Sequence, residues 1–270
     1  MTTATTPKRH KLVNLRNFPT FTATSWLVLF FLYIPLAHVI FYSFNSSRIA
    51  TIWEHFSTKW YIKTLQNDDM QRALKNSLQI ATVATVLSTV LALMAALGLV
   101  RMSRAGSAVA WALIGAPLII AEVVLAVGTL GFFIFVGLPL GKMSMMLAHT
   151  AFCLPFALLP MRARLGQLDV APFEAAADLG ANERQILRRI TLPLLSPAIV
   201  SGALLAFAIS IDDFISSFFL SGPASTTLPV YIFGMIRSTV TPEVDAISTL
   251  LLLFSGIVLI SSYVLERRRR

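Results

Sequence analysis

The chain has 270 residues, 56% of them hydrophobic and only 13% charged, with a mean hydropathy of +0.74 and a net charge of +9. Soluble domains carry about 25% charged residues, and the apolar residues here fall in long blocks, so the composition excludes a soluble protein and marks an integral membrane one. One cysteine, Cys153, excludes an intramolecular disulfide and argues against a metal cluster, and the basic residues border apolar blocks rather than forming a patch for nucleic acid.

Residues 1–20 are a basic N-terminal tail with Lys8, Arg9, Lys11 and Arg16, disordered over its first 17 positions by this reading. The apolar run from about Phe21 to Phe44 is too long for a signal-peptide core and lacks an Ala-x-Ala site, so it predicts an uncleaved first span, kinked at Pro35. Asn45 to Lys75 is a polar segment holding Trp53, Trp60 and Tyr61. A second span is expected from Ser77 to Val100. A third runs from Ala108 to Val136, long for one helix, with Pro117 and several glycines pointing to a break or a tilt. Gly137 to Lys142 reads as a turn, and Met143 to Met161 as a fourth span. A fifth span covers Ser196 to Leu220. Ser221 to Pro242 is a polar connection, and Val244 to Leu265 is the sixth span, before a basic C-terminus at 266–270. The expected fold is an all-α integral membrane protein, with six transmembrane helices making one domain over 21–265.

Between the fourth and fifth spans lies the longest stretch of mixed polar and apolar residues, Asp169 to Pro197. It predicts two short helices. Asp169 can cap the first, Pro172 suits its first turn, and Gly180 stops it. Asn182 can cap the second, with Gln185 completing a capping box. Ile186, Leu187 and Ile190 form its apolar stripe, Arg188 and Arg189 sit near its end, and Pro193 and Pro197 are expected to terminate it.

Within this stretch Glu174-Ala175-Ala176, Gly180 and Ile190-x-Leu192-Pro193 stand at fixed spacing. The pattern resembles the cytoplasmic loop of permease subunits of binding-protein-dependent ABC importers, without departure. The resemblance implies that 169–195 is a coupling element docking into a groove on a separate ATPase subunit. Those seven residues would carry the coupling.

Six spans put both termini on one face. That face holds 15 Lys and Arg residues, including Arg101, Arg104, Arg162, Arg164 and Arg184, against 7 on the other, so it should be cytoplasmic. The loop then lies where an ATPase could reach it. The expected location is a bacterial inner membrane, multi-pass.

The chain has no Walker A motif, because Gly137 to Lys142 has the wrong spacing and lies on the wrong face. It has no metalloprotease or serine-hydrolase motif either. No catalytic or metal-binding residues are expected, and no cofactor, ATP being bound by the partner subunit. His38 and His149 read as hydrogen-bonded packing residues. Three acids remain inside the spans: Glu122 in the third, Asp212 and Asp213 in the fifth. A carboxylate in hydrocarbon is costly, so it normally faces a water-filled cavity, a partner or a substrate. Counted along straight helices from the cytoplasmic ends, Glu122 and Asp212 lie roughly 21 and 24 Å deep, at one level. No basic residue in these spans pairs with them, which favours a cationic substrate. Adjacent residues point about 100° apart on a helix, so the two aspartates should not both face the pathway.

A second resemblance agrees. Tyr42 to Ser47, Trp60-Tyr61, Asn76-Ser77-Leu78, Leu205-Ala206-Phe207 leading to Asp212-Asp213-Phe214, and Ser221-Gly222-Pro223 leading to Thr226-Thr227-Leu228-Pro229 are similar to spermidine/putrescine importer permeases, closest to the second permease of such systems. This implies a heterodimer with a homologous permease, two ATPase subunits and a periplasmic polyamine-binding protein. The expected mechanism is alternating access, with the out-of-place acids Glu122, Asp212 and Asp213 on the substrate pathway; Trp53, Trp60 and Tyr61 could add cation–π attraction or equally serve as interfacial anchors. The competing readings are a permease for another small solute and an ion-coupled secondary transporter, the latter disfavoured by the lack of an internal repeat.

Overall fold

The computed structural model describes residues 19–49, 52–238 and 241–268. The basic tail up to residue 18 and Arg269–Arg270 lie outside them. Twelve α-helices follow one another among the described residues, with one isolated β-bridge, between Asn45 and Phe56.

Three helices make the core: α3 (Asp68–Arg101), α6 (Lys142–Leu165) and α9 (Leu192–Asp212), each packed on the other two. Their contact faces explain why. The buried stripe of α3 reads Ala81, Ala84, Ser88, Ala92, Ala96, at steps of three and four residues. Lipid tails are as apolar as leucine, so membrane helices gain little by hiding large apolar groups from one another. They gain from close backbone approach, which small residues allow. Ala157, Leu158 and Met161 of α6 and Ala206 of α9 close the cluster. At the tightest point a Cβ on Gly202 of α9 would stand 2.5 Å from the Ala157 carbonyl oxygen. Gly202→Ala should therefore cost about 1–3 kcal/mol by overpacking. A lowered thermal midpoint of the purified assembly checks this, and an unchanged midpoint contradicts it.

The remaining helices surround this core. First comes α1 (Pro19–Tyr42), which packs on α12 (Pro242–Arg268) and otherwise exposes large apolar side chains such as Phe30 and Phe31. Next is α2 (Lys59–Leu65), tied to α12 by a 2.6 Å ion pair between Lys63 and Glu243. Then α11 (Leu228–Ser238) packs on α3, where Ser77 accepts the Leu228 N–H and Asn76 donates to the carbonyls of Ala224 and Thr226.

Four helical stretches are long and apolar enough to cross a membrane, or five if one bent pair counts as a single span. That pair is α4 (Arg104–Gly115), extended by a tight turn at Ala116–Leu118, and α5 (Glu122–Val136). They meet at 104°. Pro117 cannot donate a backbone hydrogen bond, which ends the first helix where the sequence places a break.

The expected fifth span is also two pieces. Helix α9 stops at Asp212, the backbone turns extended at Asp213, and α10 (Ile215–Leu220) follows. At its other end α9 is longer than expected. Pro193 and Pro197 do not end the preceding helix, which continues from Glu183 to Asp212. A π-helical turn over Leu187–Thr191 shifts the hydrogen-bond register just before Pro193. Pro197 leaves the Pro193 carbonyl without its helical donor, and the Ser196 hydroxyl supplies one at 2.9 Å. Arg188 and Arg189 consequently sit in the second turn of this long helix rather than near a C-terminus.

Candidate functional site

The two helix breaks meet. Helix α5 packs on α10, so the far halves of both breaks lie side by side. Glu122 is in the first turn of α5 and Asp212 and Asp213 close α9, which brings all three acids to the junction. The Glu122 carboxyl is within electrostatic reach of both Asp213 and Asp212.

The two aspartates differ in setting. Asp212 is exposed, whereas Asp213 is only 5% exposed. Asp213 Oδ1 accepts the Ser216 N–H at 2.9 Å, so the side chain caps α10 as an N-cap residue would. Its Oδ2 is buried and accepts no hydrogen bond from the described residues. The two side chains sit in different surroundings because the backbone turns extended at Asp213 instead of continuing as a regular helix.

Other expectations are corrected here. Depths counted along straight helices do not hold, because Glu122 follows a 104° bend and Asp212 ends a helix that begins at Glu183. A histidine from another helix, outside the spans that carry the acids, also stands beside one of them. His149 of α6 is 1% exposed, and its Nε2 stands 3.5 Å from Asp213 Oδ2. Its Nδ1 is 2.9 Å from Ser210 Oγ and its Nε2 3.3 Å from Ser217 Oγ. The hydrogen-bonded packing role expected of His149 is thus present, with an acid pairing that sequence reading missed. Those partners lie 61 to 68 positions away on other helices, so no local motif signals them.

The aromatic residues of the segment between α1 and α3 are engaged with their own chain. Trp60 is buried, with Lys59 and Lys63 over its ring at 5.0 and 5.2 Å. Trp53 stacks on Phe41 at 4.3 Å, and the Tyr61 hydroxyl bonds Ser43 at 2.6 Å. The ring of Trp60 already carries two cations of its own chain, which removes it as a ready cation–π partner for a ligand.

Within 169–195, α7 (Ala171–Asp178) is a short helix, whereas α8 (Glu183–Ile186) is the opening turn of the helix that continues to Asp212. Asp169 accepts the Ala171 N–H at 3.3 Å. Gly180 takes φ +79°, and the bonds Gly180 N–H to Ala177 and Ala181 N–H to Ala176 form a Schellman motif. The Asn182–Gln185 capping box is complete, with 2.9 Å in each direction. Glu174, Ala175, Gly180 and Pro193 are exposed, whereas Ala176, Ile190 and Leu192 are partly covered. Leu179, just before the turn, is 89% exposed. An ion pair of 3.0 Å between Arg101 and Glu183 joins this segment to the end of α3. A cavity of about 580 Å³ lies beneath it, lined by Leu97, Leu165, Phe173, Ile186 and Leu187 among others.

Residues 88–270 match the family described as binding-protein-dependent transport system inner membrane component. The chain belongs to that family. Among its relatives is the spermidine/putrescine transport system permease protein PotC of Escherichia coli K12, 38% identical over 88% of this chain and 90% of that protein. The putrescine transport system permease protein PotI of the same strain is 40% identical, over 89% and 88%. Among solved structures, a bacterial ABC transporter involved in import of the acidic polysaccharide alginate aligns with a TM-score of 0.72 at 17% identity, over 92% of this chain and 94% of that one. The MetNI methionine ABC transporter in an inward-facing conformation aligns at 0.61 and 17% identity, over 75% and 99%. At such identities these two structures speak to the fold alone, which is that of an ABC importer permease. The family is one of inner-membrane permeases, consistent with the several long apolar helices found.

Proposed function

We propose that this chain is a permease subunit of an ATP-driven importer and forms the pathway for a polyamine, putrescine or spermidine, by alternating access. The observation that carries the reading is the junction of two broken spans. It gathers Glu122, Asp212 and Asp213, from helices far apart in sequence, into one acidic site. The names of the relatives point the same way.

Six spans complete the topology in this reading: α1, α3, the α4–α5 pair, α6, α9 with α10, and α12. Both termini are cytoplasmic, as the excess of basic residues on that face favours. Residues 169–195 are the coupling element, with Glu174, Ala175, Ala176, Gly180, Ile190, Leu192 and Pro193 shaping it for a groove on the ATPase. The partners are a second, homologous permease, two ATPase subunits and a periplasmic polyamine-binding protein. ATP binds to the ATPase subunits, and this chain needs no cofactor of its own.

The continuous helix from Glu183 to Asp212 supports a direct mechanical link. One end belongs to the coupling element and the other to the acidic site. Closure of the ATPase dimer moves α7 and α8, and α9 transmits the displacement to the break at Asp213. Rocking of the two permeases opens the site outward to a docked binding protein. The acids offset the charge of the amines while water is stripped from them. Hydrolysis restores the inward-facing state.

The test is uptake of labelled putrescine and spermidine into proteoliposomes containing the chain with its co-purified subunits, ATP inside and binding protein outside. ATP-dependent uptake is the expected result. ATPase activity without polyamine uptake would discard the substrate, and uptake following an ion gradient alone would discard the importer.

A further inference from the structure

Asp213 is a buried carboxylate with one oxygen in use and one facing a histidine. Oδ1 caps α10, while Oδ2 accepts nothing from the described residues and has His149 Nε2 at 3.5 Å. A carboxylate oxygen left unpaired in a dry interior is costly, and its placement is set by whichever donor stands nearest. The histidine ring is itself held from both sides of the helix break. Ser210 precedes the break on α9 and Ser217 follows it on α10, and both hydroxyls touch the ring. One turn along α6, Cys153 reaches the Ala206 carbonyl at 3.5 Å, so this face of α6 is fastened to α9 at two levels.

We propose that His149 is a positioning residue for Asp213: the ring, braced by Ser210 and Ser217, sets the Asp213 carboxylate in the break between α9 and α10 and thereby fixes the geometry of the acidic site. His149 Nε2 stands 3.5 Å from Asp213 Oδ2 and 3.3 Å from Ser217 Oγ, and Nδ1 meets the Ser210 hydroxyl at 2.9 Å. Asp213 becomes the fixed inner wall of the site. Exposed Asp212 and the Glu122 carboxyl across the junction are left to meet an incoming cation. The transport consequence rests on the polyamine reading above; the placement of Asp213 by His149 does not.

The test uses the assembled transporter with His149→Leu, His149→Gln, Asp213→Asn and the double variant His149→Leu/Asp213→Asn. Turnover of polyamine uptake should fall about tenfold in His149→Leu, as when a charged group loses a hydrogen-bonding partner. His149→Gln keeps a donor near the Nε2 position and should restore most of the rate. If His149 acts through Asp213, adding His149→Leu to Asp213→Asn should change turnover by less than about twofold. Wild-type turnover in His149→Leu overturns the proposal, as do independent, multiplying losses in the double variant. So does a loss in assembled His149→Gln equal to that of Asp213→Asn, and this arm decides the matter if the leucine variant does not assemble. A substrate-free readout separates this inference from the functional one. Labelling of Asp213 by a carbodiimide, read by mass spectrometry, should rise at least threefold in His149→Leu and stay unchanged in His149→Gln, because the carboxylate leaves its buried placement. If the wild-type complex moves no polyamine, the functional reading fails while the labelling still decides the role of His149. Equal labelling in wild type and His149→Leu overturns that role.

Discussion

Asp212→Asn lowers the turnover of polyamine uptake by about tenfold to a hundredfold, while the permease, its partner and the ATPase subunits still co-purify. The first half of this expectation follows from chemistry. A hydrogen bond to a charged group contributes about 1.5–3 kcal/mol, and each 1.4 kcal/mol is a factor of ten in rate. The second half follows from the structure. Asp212 is exposed, and nothing in the packing of α9 depends on its charge. Asparagine has the same shape, so assembly should be untouched. Asp213→Ala is the instructive contrast. It removes the cap of α10 and uncovers the environment of His149, so its losses should include assembly as well as rate. Unchanged uptake in Asp212→Asn, measured in proteoliposomes at equal protein, would take Asp212 off the pathway.

Gly180→Asp should uncouple ATP hydrolysis from transport. Gly180 holds φ +79°, and a Cβ built there meets nothing within 4 Å. The strain is modest for aspartate, one of the few residues with a side chain that visits this conformation. The chain itself can therefore accept the substitution. What cannot accept it, in the proposed assembly, is the ATPase groove that receives the exposed turn. Uptake should fall by on the order of thirtyfold or more, the size of a disrupted interface hot spot, while ATP hydrolysis continues. Gly180→Asn has the same bulk without the charge and should fall nearly as far if the fault is steric. Coupled transport at the wild-type rate in the aspartate variant would remove the turn from the interface.

Local rules account for most of what could be read before folding. Long apolar blocks gave the spans, since a backbone in lipid must satisfy itself as helix. The break near Pro117 was legible because proline lacks a donor and imposes its own φ. The Schellman turn at Gly180 and the box between Asn182 and Gln185 were legible because caps are short-range and chemically specific. The three acids stood out because charge inside apolar sequence is rare and expensive.

Where local rules compete with packing, reading them failed. Pro193 and Pro197 are terminators by propensity. Within the packed core a π-helical turn and the Ser196 hydroxyl recover the lost hydrogen bonding, and the helix runs on from Glu183 to Asp212. The ring of Trp60, one of the aromatics that could have met an amine, is taken by Lys59 and Lys63.

By itself, then, the sequence determined the class of molecule, its long apolar helical stretches, the capped loop and which acids are out of place in an apolar span, but not the short helices α2 and α11, which lie in stretches that read as polar connections. Each of the features it determined depends on residues within a few turns of one another. Only the tertiary structure decided that the two helix breaks coincide, that Asp213 is buried while Asp212 is exposed, and that His149 stands against Asp213. Those facts depend on how α5, α6, α9 and α10 pack, and packing joins residues more than 60 positions apart through contacts that no spacing along the chain encodes.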